Sequence, residues 1–291
     1  MATEPFQVKF KNSKNPNSAF DLITIEEIMR RTDLNHDIEK LHRVEFFTLI
    51  FITAGAGFHT VDFTDYPIKK GTLLTIRKDQ IQRFHRNDNL RGYLLLFLDE
   101  FLVSYLEKLE AQKSLQLFNE LLGVPKIQLP QNDYFVIHEI VQRITEEYFT
   151  RMDDYSLGII RSELHILITK LYRIKAKDSQ VIFDKKYLAE FIIFQNLVEN
   201  HVKSTNRVSD YAKMMTISTK TLNTISKSIV NKTAKEFIDE ISIKQIKRLL
   251  INTSLSIKEI AYASGFEETT NFYKYFKRQL GMTPEQFRTT F

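Results

Sequence analysis

Residues 208–237 and 256–288 carry one structural unit written twice. The first reads VSDYAKMMTISTKTLNTISKSIVNKTAKEF, the second SIKEIAYASGFEETTNFYKYFKRQLGMTPEQFR. Ala212 falls on Ala261 and Ile217 on Phe266 at an offset of 49. Past the turn the offset is 50, so Leu222 falls on Phe272, Ile225 on Tyr275, Lys227 on Lys277, Thr233 on Thr283 and Phe237 on Phe287. A repeat of that period, with matched caps and apolar positions, marks a duplicated supersecondary unit.

The pattern inside each copy predicts helix, tight turn, helix. Ser256 and Glu259 form an S-x-x-E capping box, which satisfies orphan amide donors at a helix start. Ile257, Ile260 and Ala261 then share one buried face. Gly265 tolerates a positive φ and ends that helix. A second helix from about Glu268 puts Phe272, Tyr275, Phe276 and Leu280 inward, and Thr270, Asn271, Lys274, Lys277 and Arg278 outward. Gly281 closes it, and Thr283, Pro284 and Gln286 open the next helix. Between the copies, Phe237 to Leu250 reads as one connecting helix, whose length would set the spacing of the two units. An outward face of amides, hydroxyls and cations suits a helix in a DNA major groove.

Charge agrees with that use. The chain of 291 residues has a formal net charge of +5, carried unevenly: residues 185–291 hold 17 Lys+Arg against 10 Asp+Glu, whereas the rest hold 24 against 26. The basic excess therefore coincides with the repeat, as phosphate contact requires. The chain has no cysteine, which excludes disulfides, thiolate zinc sites and cysteine nucleophiles. No secretory signal stands at MATEPFQVKF, and the apolar stretches around 44–58 and 93–106 carry Glu45, Asp99 and Glu100. The expectation is a cytoplasmic protein with no membrane span.

Two helix-turn-helix units on a fixed connector resemble the DNA-binding domain of AraC/XylS-type transcription regulators. The resemblance covers roughly residues 185–291. Its densest part is 256–288, with the I-A pair, G-F, the F-x-x-x-F-K-R helix, G-x-T-P and the aromatic-Arg close. The first unit departs from the pattern: Thr216 and Asn231 stand where glycine is usual, Ser226 replaces an apolar residue, Ile246 a small alanine, and Thr224 an arginine common in the family. The resemblance and the exposed stripe together assign base contacts to Thr269, Thr270, Asn271 and Lys274 in the second helix, and to Lys220, Asn223 and Thr224 in the first. Lys227, Lys277 and Arg278 are placed for phosphates. It further implies double-stranded DNA and RNA polymerase as partners, a homodimer, and a small-molecule effector.

Residues 20–98 follow a different grammar. Short apolar runs (DLITI, VEFFTLIFI, GFHTVDF, GTLLTI, QIQRF, GYLLLFL) alternate with Gly55, Gly57, Pro67, Gly71 and Gly92. Many short strands at regular spacing predict a sandwich or barrel, and in this context residues 20–100 resemble the family's cupin-like barrel. His42, His59 and His85 each stand alone, so no metal site is expected, and no phosphate loop, dinucleotide fingerprint or nucleophile elbow appears. The expectation is a non-enzyme without cofactor. With many Phe in 46–101, a barrel filled by side chains and acting only in dimerisation is the alternative. A cupin enzyme with a DNA-binding tail is a more distant one.

Helical periodicity begins after residue 98. One helix is expected over 101–123 and another from about Asn132 to Phe149. In a third, Leu157, Ile160, Leu164, Leu167, Leu171 and Ile174 are spaced 3, 4, 3, 4, 3, an a/d seam. That seam fits either a second chain or the preceding helix; the resemblance favours a dimer interface. AKDSQVIFD, residues 176–184, reads as a linker. The chain is thus expected to be α+β: a cupin-like barrel in 1–100, a helical hairpin and linker in 101–184, and an all-α reader of two helix-turn-helix units in 185–291. Activation or repression, the operator and the effector stay open.

Overall fold

A computed structural model describes residues 5–12, 15, 16, 18–78, 80–103, 125–178, 187–230 and 232–290. The chain divides into two compact units, Phe6–Ser179 and Gln180–Phe291. Barrel and helical segment, read from the sequence as separate regions, belong to one unit.

That first unit holds two five-stranded sheets. Its strands are β1 (Phe6–Val8), β2 (Phe20–Thr24), β3 (His42–Val44), β4 (Phe47–Ala54), β5 (Ala56–Val61), β6 (Thr64–Lys69), β7 (Thr72–Ile76), β8 (Ile81–Phe84), β9 (Arg91–Phe97) and β10 (Lys126–Gln128). One sheet has the order β1-β3-β8-β5-β6 and the other β10-β7-β4-β9-β2. The helices are α1 (Ile25–Arg30), α2 (Asp99–Val103), α3 (Gln131–Glu146) and α4 (Ser156–Asp178), with a π-helical turn, Glu147–Arg151, extending α3.

The unbroken apolar run of β4 has a physical reason: the strand is covered on both faces. Phe47, Leu49 and Phe51 point to a core shared with Ile140, Ile144 and Leu164 of α3 and α4. Ile50 and Ile52 point the other way, into a second core between the sheets, with Ile23, Val44, Phe84 and Leu94. Strand β9 divides alike, Leu95 and Phe97 to the helices and Leu94 to the interior. A strand buried on both faces loses the polar–apolar alternation of a half-exposed one.

The a/d seam is part of that helix-side core. Ile160, Leu164, Leu167 and Leu171 are fully buried within the chain, and Leu157 and Ile174 pack against the same cluster. This corrects the dimer-interface expectation for Leu157, Ile160, Leu164, Leu167 and Leu171: α3 and the sheet occupy the seam. Arg143 clamps the two helices through a two-pronged contact to Glu163 at 2.7 and 2.9 Å. Beyond Val103 the helix expected over 101–123 lies outside the described residues. Residues 176–178 of the expected linker are still helical in α4, and 179–184 lie outside the described residues.

The second unit is helical: α5 (Leu188–His201), α6 (Val208–Met214), α7 (Thr219–Val230), α8 (Ala234–Asn252), α9 (Ile257–Ala263), α10 (Thr269–Leu280) and α11 (Pro284–Thr290). The two copies are α6–α7 and α9–α10, joined by α8. Each copy ends with a cap on the next helix. Thr233–Glu236 caps α8, and Thr283–Gln286 brackets the start of α11 at 2.8 and 3.2 Å. Phe272, Phe276 and Phe287 form one aromatic cluster beneath α10, and Phe191, Phe194, Tyr211 and Phe237 a second one beside α6.

Candidate nucleic-acid interface and effector cavity

Equivalent backbone bonds build both turns. Ile217 N–H donates to the Ala212 carbonyl, and Phe266 N–H to the Ala261 carbonyl, each at 3.0 Å. Gly265 takes φ +79°. A Cβ there would also stand 3.1 Å from the Lys203 carbonyl oxygen, so a side chain would be strained by conformation and crowded as well. Thr216 holds the equivalent position with φ +57°, a left-handed conformation that costs a β-branched residue free energy.

The second recognition helix, α10, is anchored from three sides. Phe272, Tyr275 and Phe276 are buried under it. Tyr275 donates its hydroxyl to the Asp239 carbonyl of α8 at 3.0 Å, and burial pushes this phenol well above its usual range. Tyr273 donates to the Glu285 carboxylate in the first turn of α11, which pushes that phenol up to about 12. Arg288 of α11 returns to the end of α8, donating to the Leu250 and Leu255 carbonyls at 2.9 and 2.7 Å. With the helix so held, Thr270, Asn271, Lys274, Lys277 and Arg278 stand exposed on its outer face, with Thr269 half-buried at its first turn.

The first recognition helix, α7, presents less. Lys220, Thr224 and Lys227 are exposed. The Thr224 hydroxyl donates back to the Lys220 carbonyl at 3.1 Å. Asn223 departs from its expected base-reading role. Its Oδ1 accepts from the Ala234 N–H at the start of α8 (2.9 Å), and its Nδ2 donates to the Thr219 carbonyl (3.1 Å). The buried Ser226, the polar residue at an apolar position, is satisfied by the Lys232 carbonyl at 2.8 Å. Asn231 lies outside the described residues.

In the first unit a cavity of about 600 Å³ opens between the sheets. The Phe-rich strands do not fill it, because Phe47, Phe51 and Phe97 face the helices instead. Apolar side chains such as Ile23, Val44, Leu94 and Leu96 line it, and Asp21, Thr48, His42 and Gln82 interrupt them. Burial holds His42 down to about 4 and His59 down to about 3, so both are neutral near pH 7. His42 Nδ1 then donates to the Lys40 backbone carbonyl at 3.0 Å, and His59 Nε2 to the side-chain Oε1 of Gln82 at 3.0 Å. Among the described residues no three His, Asp or Glu side chains converge as a metal site. The cavity set was not visible in the sequence, because β-strand register, not spacing, assembles it.

Two family models match side by side. The helix-turn-helix domain model covers residues 211–290, and the AraC-like ligand binding domain model covers residues 26–152. The chain belongs to the AraC/XylS family of transcription regulators. It is a DNA-binding regulator with an N-terminal ligand-binding domain. The HTH-type transcriptional activator RhaS of Escherichia fergusonii is 22% identical over 256 residues, 85% of this chain and 86% of that one. The Msm operon regulatory protein of Streptococcus mutans is 34% identical over 94 residues, 32% of this chain and 34% of that one. Among solved structures, ToxT from Vibrio cholerae with a bound unsaturated fatty acid is 18% identical, covering 94% of this chain and 95% of that one, with a TM-score of 0.43. No described helix is long and apolar enough to cross a membrane.

Proposed function

We propose that this regulator reads two successive major grooves unequally, with α10 supplying the sequence specificity and α7 mainly the grip. What carries this reading is the difference between the two outer faces. Helix α10 exposes Thr270, Asn271 and Lys274 with their side chains uncommitted to the next helix, whereas α7 has given Asn223 to the start of α8. Lys220 and Thr224 remain as the base-facing residues of α7, and Lys227, Lys277 and Arg278 meet phosphates. The connector α8, 19 residues and so about 28 Å long, keeps the two helices on one face of the duplex. If about five phosphates are neutralised, log affinity falls against log salt with a slope of roughly −4 to −5. Titrating a labelled promoter fragment at several salt concentrations tests this, and a slope near zero overturns it.

Control is assigned to a small effector in the barrel cavity. The open space of about 600 Å³ favours this over a filled barrel that serves only dimerisation. Dimerisation itself is assigned to the outer side of α4. Ile159 and Ile166, seven residues apart, are 44% and 43% exposed there, with Tyr155 just ahead at 77%. RNA polymerase is the further partner, in keeping with relatives that are named activators. The chain acts as a cytoplasmic regulator and not as an enzyme.

A further inference from the structure

Lys235 stands in the first turn of α8, where an acid suits the helix dipole better than a cation. Its equivalent in the second copy, at the offset of 50, is Glu285, an acid in the first turn of α11. Lys235 also precedes Asp239 by four residues, the less favourable order for a helical ion pair. The stability of α8 by itself does not account for this lysine.

Its contacts outside the helix do. Lys235 Nζ donates to the Asp239 carboxylate at 2.7 Å and to the Asn206 backbone carbonyl at 3.1 Å. Asn206 belongs to the loop that leads from α5 into the first copy. The other side of that loop lies against the turn of the second copy. A Cβ on Gly265 would meet the Lys203 carbonyl oxygen at 3.1 Å and the Ser204 carbonyl carbon at 3.3 Å. Asn206 Nδ2 donates to the Ser264 carbonyl at 3.5 Å. The same turn of α8 receives α10, since the Asp239 carbonyl accepts from the Tyr275 hydroxyl at 3.0 Å. One residue before Lys235, the Ala234 N–H donates to Asn223 of α7. Both recognition helices are thus bonded to α8 between residues 234 and 239, about 7.5 Å of helix rise. Their separation follows from these bonds and from the loop wedged between the copies, not from the length of α8 alone.

Resting on the reading that α7 and α10 enter successive grooves, we infer that Lys235 is a positioning residue. It holds the loop of Asn206 between α8 and the second copy, and so fixes the spacing at which the two recognition helices meet DNA. One extra base pair between the contacted segments moves one of them by about 3.4 Å and about 35°. Hydrogen bonds tolerate roughly a few tenths of an ångström. A bolted reader therefore loses the contacts of one helix on such a site. A reader whose loop is released keeps both sets, at a lower effective concentration.

The chain has no cysteine, so Lys213→Cys on α6 and Gln279→Cys on α10, both exposed, take one pair of spin labels. Distances between the labels are measured in the full chain with Lys235, with Lys235→Met and with Lys235→Arg. The expected result is one narrow distribution for the parent and for Lys235→Arg, which keeps a cation and its donors. Lys235→Met should at least double the width. Equal widths in the parent and Lys235→Met overturn the inference, as does broadening in Lys235→Arg as large as in Lys235→Met. The second arm uses a duplex that the parent selects from random sequence, and the same duplex with one base pair inserted between the two segments of its footprint. The parent should lose at least tenfold in affinity on the inserted duplex, and Lys235→Met less than threefold. Equal losses in the two overturn the spacing role. A footprint confined to one groove sinks the two-groove reading and the spacing role with it, while the label distances still decide whether Lys235 holds the copies together.

Discussion

Asn223 and Ala234 are joined by a 2.9 Å hydrogen bond that ties the first recognition helix to the start of the connector. Tyr273, at the equivalent place in the second copy, reaches Glu285 at the start of α11. The position therefore works in both copies as a strut from recognition helix to following helix. In α7 the strut consumes an amide that could have read adenine. Asn223→Ala is expected to remove a helix-start acceptor and cost about 1 kcal/mol of stability. Its effect on DNA should be equal on cognate and scrambled sequences. Thermal melts and binding on both DNAs check this; a selective loss on cognate DNA would restore Asn223 as a reader.

The two turns predict mutations of opposite sign. Thr216→Gly relieves a left-handed threonine and should stabilise the reader by roughly 0.5–1 kcal/mol after the glycine's own entropy cost. Gly265→Ala places a Cβ at φ +79° and 3.1 Å from the Lys203 carbonyl, and should destabilise it by about 1–2 kcal/mol or more. Urea unfolding of the two variants beside the parent chain decides. Equal signs would mean the turns are not equivalent.

The repeat, its caps and the exposed face of α10 were legible because local spacing encodes them. A capping box spans four residues, and a helix face recurs within seven. The corrections concern partners far away in sequence. The seam of α4 has the period of a two-helix interface, but period says nothing of which helix fills it, and α3 did. The Phe content of 46–101 suggested a filled barrel, yet alternation along β4 and β9 sends Phe47, Phe51 and Phe97 to the helix side, while Phe46 and Phe84 stay between the sheets. The placing of Asp21 and Thr48 on either side of Leu96 depends on strand pairings that reach from β2 and from β4 to β9, which no local pattern reveals.

Acid should weaken the barrel. His42 and His59 are held to about 4 and about 3 when folded, against 6.5 when unfolded. Between these limits the unfolded chain binds more protons, so stability is full above pH 6.5 and is lost as pH falls toward 4. Each histidine contributes a slope of up to about 1.4 kcal/mol per pH unit in that window. Urea midpoints read from barrel methyls such as Ile50 at several pH values test it. His42→Gln should flatten the dependence, and a pH-independent midpoint would contradict it.

The outer face of α4 gives a clean test of assembly. Ile159→Glu with Ile166→Glu places charges on exposed positions and should leave the fold intact. Sedimentation is expected to show dimers for the parent chain and monomers for the double variant. A dimer that survives both charges places the interface elsewhere.

Specificity is the claim on which the account turns. Lys274 stands exposed on α10 between the buried Phe272 and Phe276, and its stem is long enough for a guanine edge. Thr224, its counterpart on α7, is short and already bonded to the Lys220 carbonyl. The deciding measurement is the affinity of Lys274→Ala and of Thr224→Ala for a cognate site and for scrambled DNA at one salt concentration. Lys274→Ala is predicted to cost about 1–3 kcal/mol on the cognate site and to lower the cognate-to-scrambled ratio. Thr224→Ala should cost under about 1 kcal/mol. An unchanged ratio for Lys274→Ala, or a larger loss from Thr224→Ala, would contradict the unequal reader.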